Sequence, residues 1–231
     1  MPSRSKLPRQ ASPVAALLGL LVLAGCGSAL SDSMALGGDP RPNPYAGVIT
    51  VSSEPPGARC VVTKAADGAQ VAEIATPGQV PLPRSTAIVE ARCSGPARMD
   101  TTAVIRPVRD FAAGVHHPQP VGTGAVQNAV VVRTGSTRRY NDVTVHLPPV
   151  PFASAEARDA WFAERADAMR REAAPAIARA RRASNATIDT AEELERYLAE
   201  DLARLGQQKA AATIEAPIVE PQRQPVPPRR R

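Results

Sequence analysis

Residues 48–105 form a succession of short β-branched runs, each closed by glycine or proline, and this punctuation constrains the fold more than any other feature. Val48-Ile49-Thr50-Val51 gives way to Glu54-Pro55-Pro56-Gly57. Arg59-Cys60-Val61-Val62-Thr63 is ended by Ala66-Asp67-Gly68, a hairpin signal. A third run, 69–75, stops at Thr76-Pro77-Gly78. Val80-Pro81-Leu82-Pro83 can serve only as an edge or irregular strand, because proline donates no ladder hydrogen bond. Two more runs, 87–93 and 99–105, flank Ser94-Gly95-Pro96. Short strands at this spacing predict a small antiparallel β-sandwich or open barrel. With the helical pattern near the C-terminus, the class is α+β.

The turn residues carry a likeness. Val51-Ser52-Ser53-Glu54-Pro55-Pro56-Gly57-Ala58, then Thr76-Pro77, then a strand ending at Gly95, resembles the PEGA module of bacterial surface and envelope proteins. The resemblance covers residues 48–96. Pro96 stands where that family closes with tyrosine, and two cysteines are added. It implies an interaction or spacer module with no catalytic residues.

The N-terminus sets the expected compartment. Arg4, Lys6 and Arg9 occur among the first ten residues without an acid, and residues 11–22 are almost wholly apolar. That run is too short for a membrane-spanning helix, which needs roughly 20 residues, and it suits the core of a secretory signal. Leu23-Ala24-Gly25-Cys26 follows and resembles a bacterial lipobox. The resemblance implies cleavage between Gly25 and Cys26 and acylation of the Cys26 thiol, against the simpler reading of a secreted protein cut nearby. Several acyl chains hold firmly where one holds weakly, since each buried CH₂ contributes about 0.8 kcal/mol. Gly27, in place of the aspartate that favours inner-membrane retention by family analogy, directs the expectation to the outer membrane, facing the periplasm.

An acylated Cys26 leaves two cysteines, Cys60 and Cys93, which removes an odd count awkward for an oxidising compartment. Both fall on the apolar faces of alternating segments. A Cys60–Cys93 disulfide would close a loop of about 34 residues and contribute ~3–4 kcal/mol; two buried free thiols are the other reading.

Residues 26–46, rich in small residues, glycine and proline, read as a flexible tether. Residues 106–150 read as a Gly-rich segment followed by a β-hairpin, Val130-Val131-Val132 turning at Thr134-Gly135-Ser136 to Val143-Thr144-Val145-His146-Leu147. His146 alternates with apolar Val145 and is expected on the exposed face. The span 124–162 resembles a group of proteobacterial lipoproteins in which such a segment follows a PEGA-like module.

Residues 151–206 read as helical. Ser154 is the expected N-cap of a helix over 156–174, stopped at Pro175. Thr190-Ala191-Glu192-Glu193 is a capping box opening a second helix to Leu205, with Gly206 as its stop. Glu192–Arg196 and Glu200–Arg204 have the i,i+4 spacing of helix ion pairs. Phe162, Ala166, Met169 and Ala173 form one apolar stripe, and Leu194, Tyr197, Leu198, Leu202 and Leu205 another. Either the stripes pack internally or the second docks on a partner. Residues 207–231 read as a disordered Pro/Arg tail ending in Arg229-Arg230-Arg231.

The formal charge of +6 resides at the two ends, and residues 26–220 sum to about −1. A near-neutral body with 3% aromatic residues gives neither the basic face nor the stacking platforms of a nucleic-acid binder. No catalytic signature occurs, no cofactor motif occurs, and the adjacent His116-His117 lack companions at metal-ligand spacing. Loop histidines facing solvent are the plainer reading. The expectation is a non-enzymatic envelope lipoprotein that binds or scaffolds, with a cell-wall polymer, surface polysaccharide or envelope protein as partner. The alternative is an accessory subunit of an envelope transport or assembly complex, docking through its C-terminal helices.

Overall fold

In β1 (Val48–Glu54) every second residue is buried, namely Ile49, Val51 and Ser53, as a strand with one inward face requires. The chain continues through β2 (Arg59–Lys64), β3 (Gln70–Ala75), β4 (Gly78–Pro81), β5 (Val89–Ser94), β6 (Thr101–Ile105) and β7 (Val108–Arg109). Then come α1 (Ala125–Thr134), β8 (Arg138–Arg139), β9 (Val143–His146), α2 (Ala155–Arg182) and α3 (Ala191–Ala211). The computed structural model describes residues 41–112, 114–115, 125–182 and 189–215.

Two sheets carry the fold. One has the order β4-β1-β9, the other the order β3-β2-β5-β6, and β7 and β8 form a small separate ribbon. All pairs are antiparallel except β1–β9. The inward faces share one core: Ile49, Val51, Val80 and Val145 from the first sheet meet Cys60, Val62, Val89, Ala91, Cys93 and Ile105 from the second. The mixed α+β class with an antiparallel β body is therefore as expected, without closure into a barrel. β4, with its proline, is an edge strand. Cys60 and Cys93 are register partners in β2 and β5 and are joined by a disulfide.

The two turn elements of the β module touch. Gly57 N–H donates to the Thr76 carbonyl at 3.0 Å and Thr76 N–H to the Ala58 carbonyl at 2.9 Å. Beneath them the Ser53 and Thr76 hydroxyls lie 2.5 Å apart, buried.

Several boundaries differ from the sequence reading. Val130-Val131-Val132 is not a strand but part of α1. Val130 and Val132 are exposed, so no sheet face awaits them, and Thr134 Oγ1 donates back to the Val130 carbonyl at 2.9 Å as in a helix end. The turn at Gly135 is real, with φ 69°, but it leads into β8, which pairs with β7. No hairpin joins 130–132 to 143–147. Instead β9 enters the first sheet parallel to β1, and Tyr140, Val145 and Leu147 complete the β core. The β module thus extends to residue 147 rather than ending at 105.

The helices are also longer than expected. α2 runs through Pro175, because Ile177 and Ala180 beyond it are buried and their packing offsets the lost hydrogen bond. α3 passes Gly206, which is exposed and needs no stop conformation. Of residues 207–215, expected to be disordered, 207–211 complete α3, Ala212 is buried just beyond it, and Ile214 forms a β-bridge with Phe152. Residues 41–46 are not free tether. Arg41 donates to the Phe111 carbonyl at 3.1 Å, and Tyr45 to the Leu82 carbonyl at 2.5 Å. The remainders of tether and tail, 26–40 and 216–231, lie outside the described residues.

Both N-caps are as read. Ser154 Oγ accepts from Ala157 N–H at 3.1 Å, and Thr190 and Glu193 form a reciprocal capping box. The helices pack on each other as an antiparallel hairpin, tied by Arg181–Glu195 at one end and Lys209–Asp159 at the other. Arg196 pairs with Glu200 and Arg204 with Asp201, rather than as the spacing predicted. Phe152, Phe162 and Ala212 form a second, smaller core with Met99, Trp161 and Leu205 packed against it.

Candidate functional site

β6 and β9 end their respective sheets and lie side by side, so two strand edges meet along one seam. The α2–α3 hairpin crosses this seam and leaves a groove of about 440 Å³. Its strand side is formed by residues 101–104, Val143, Thr144 and His146; its helical side includes Trp161, Arg165 and Met169 from α2 and Asp201, Leu205 and Gln208 from α3. An apolar lining with a few convergent polar groups is the usual character of a binding site.

The groove's histidine is half-buried rather than exposed. His146 Nδ1 lies 2.8 Å from Glu54 Oε2. Burial holds its pKa below the ordinary histidine value, the Arg165 charge adds to that, and Glu54 opposes both. At neutral pH the imidazole is uncharged and its Nδ1–H donates to Glu54. Arg165 is itself paired, reaching Glu172 through both guanidinium nitrogens at 3.1 and 3.3 Å.

Polar contacts hold α3 over the strands. Arg106, immediately after β6, donates to both Asp201 oxygens at 2.9 and 3.0 Å and to Glu200 at 3.0 Å. Its guanidinium also stacks 4.7 Å from the Tyr197 ring centre. Gln208 Nε2 donates to Thr101 Oγ1 at 2.6 Å. Asp189, just before α3, accepts from the Arg109 backbone at 3.1 Å and from Arg138 at 2.8 Å.

Two other features are structural in character. The outward face of the four-stranded sheet is a shallow concavity in which Arg59 pairs with Glu73 and Arg92 with Asp100, and Glu90 also lines it. Asp110 is fully buried, hydrogen-bonded by Arg84 and by Ala112 N–H at 2.9 Å, with Arg139 3.8 Å away. This cluster pins the β7–β8 ribbon, since Asp110 N–H also donates to the Thr137 carbonyl at 2.9 Å.

Of the residues singled out from sequence, Cys60 and Cys93 are brought together in the β core. Gly25, Cys26, His116, His117 and the terminal arginines lie outside the described residues. Among the described residues no group of three His, Cys, Asp or Glu side chains is placed to hold a metal ion, and no helix is long and apolar enough to cross a membrane. The groove itself was not legible. Arg106 follows an apolar strand, and Asp201 sits beside the predicted Glu200–Arg204 pair; nothing local joins residues 95 positions apart. No family model, curated protein or solved structure matches the chain.

Proposed function

We propose that this chain is an envelope lipoprotein, anchored through acylated Cys26 to the outer membrane and facing the periplasm, with a PEGA-like β module in a non-catalytic binding or scaffolding role. The observation that carries the binding half of this reading is the groove, where two terminal strands and a helical hairpin leave a partly apolar cleft. The lipobox-like Leu23-Ala24-Gly25-Cys26 and the disulfide support the anchored, oxidising location. The direct contacts of Gly57 and Ala58 with Thr76 support treating the Pro-Pro-Gly-Ala turn and the Thr-Pro element as one module.

Docking through the α3 stripe is the weaker alternative. Leu194, Tyr197, Leu198, Leu202 and Leu205 are half-buried, and Leu205 is packed in the aromatic cluster. Capture on isolated cell wall, set against crosslinking to proteins in intact cells, distinguishes a polymer partner from a protein partner. Met169→Glu, which charges the groove wall, should abolish whichever capture is specific. Undiminished capture by that variant would exclude the groove.

A further inference from the structure

Among the described residues five large apolar side chains are exposed, and four of them gather at one end of the β body. Val48 opens β1 and pairs with Pro81 at the close of β4. Ile88 precedes β5, and its carbonyl accepts from Ala65 N–H just after β2. Val130 and Val132, 42% and 52% exposed, belong to α1, whose following turn at Gly135 abuts residues 85–86. Only Ile214 lies at the other end, bridged to Phe152. Val131 lines a depression with Pro44 and Tyr45, which leaves Val130 and Val132 on the two flanks of α1 and exposed Arg133 outermost. Residues 111–141 hold Arg133, Arg138 and Arg139 and no acid. The chain enters at this same end: Arg41 bonds the Phe111 carbonyl, Tyr45 the Leu82 carbonyl, and Arg139 the Asn43 carbonyl at 3.2 Å.

We propose that this end of the molecule, with α1 outermost, lies against the surface of the bilayer that holds Cys26. The inference rests on the lipid-anchor reading. Fifteen residues, 26–40, join Cys26 to Arg41 and can reach no more than ~50 Å. The end that this segment enters is therefore the one the anchor holds near lipid. Apolar side chains of a helix lying in the interface bury their surface among the headgroups, and arginines beside an anionic leaflet add attraction. Acids at this end, such as Asp67 after β2 and Glu192 and Glu193 in the first turn of α3, lie on other elements, so the cationic side is the one α1 presents. The groove, lined by Met99, His146 and Ala211 toward the opposite end, is thereby held clear of lipid.

A chain beginning at Cys26 keeps every described residue, and its Cys60 and Cys93 are bonded to each other. It can therefore be coupled through the Cys26 thiol to a maleimide lipid in vesicles of phosphatidylethanolamine and phosphatidylglycerol with brominated acyl chains. The single tryptophan, Trp161, gives the baseline of bromine quenching. Val132→Trp should raise quenching about twofold or more above that baseline, and Ile214→Trp should not. In the unaltered chain, coupling should slow hydrogen exchange of the α1 amides and leave those of residues 205–211 unchanged. Val130→Asp with Val132→Asp should abolish that slowing. Equal quenching at 132 and 214, or α1 amides indifferent to the vesicles, would overturn the proposal. So would a dimer in the absence of lipid that the two aspartates dissociate, since the face would then belong to a second copy of the chain. Chemical coupling makes the result independent of acylation in the cell, which palmitate labelling reads separately.

Discussion

Cys60 and Cys93 occupy one rung of the β2–β5 ladder, with their Cα atoms 4.0 Å apart and both side chains fully buried. The bond between them ties strands 33 positions apart in sequence at the centre of the four-stranded sheet. Replacing both by alanine should lower unfolding free energy by ~3–4 kcal/mol in urea titrations. Peptide mapping without reductant should recover the two segments as a linked pair. Free thiols at both positions in protein taken from the cell would contradict this arrangement.

Tyr140 connects the later part of the chain to the β core. Its buried hydroxyl donates to the Ala87 carbonyl at 2.7 Å and lies 2.6 Å from Ser85 Oγ. Tyr140→Phe keeps the ring and deprives both groups of their partner, so a loss of about 1–2 kcal/mol is expected on chemical unfolding. A neutral effect would mean that water replaces the hydroxyl.

Gly135 is required by space as well as by backbone angle. Its φ is 69°, and a Cβ there would lie 2.4 Å from the Ser85 carbonyl carbon. Gly135→Ala should destabilise by more than about 1 kcal/mol, and hydrogen exchange should quicken first in the β7–β8 ribbon. An unaffected ribbon would show that the 85–86 segment can move aside.

The strands were legible where alternation met turn chemistry. Ile49, Val51, Cys60, Val62, Val89, Ala91 and Cys93 are all buried on the faces their spacing assigns. Val130-Val131-Val132 misled because a short apolar β-branched run has the same appearance in a strand and in a helix. Pro175 and Gly206 misled in the opposite sense: local breakers were overridden, one by buried residues beyond it and one by an exposed site that tolerates glycine's modest cost. Capping at Thr190 was legible because Glu193 lies within the same turn. The groove was not, since it depends on which sheet edges meet and on ion pairs such as Arg106–Asp201 that no local pattern encodes.

His146 gives the fold a defined pH response. Its pKa is held below the ordinary value of about 6.5 by burial and by Arg165, with Glu54 and Glu172 acting in the opposite sense. The unfolded chain therefore binds this proton more readily than the folded one. Stability should be full above the unfolded value and decline as pH falls through it toward the lower folded value. His146→Gln should remove that component of the decline as pH falls below the ordinary histidine value in thermal unfolding curves. A stability profile identical to that of the unaltered chain would show that His146 is not its source.

Acylation of Cys26, proposed above, would decide where the groove operates. Metabolic labelling with a palmitate analogue, comparing the full chain with Cys26→Ser, tests this directly. The unaltered protein should carry label and migrate as a shortened, membrane-associated form, and Cys26→Ser should be unlabelled and remain as uncleaved precursor. Equal labelling of both, or no label on the unaltered chain, would contradict the lipoprotein reading.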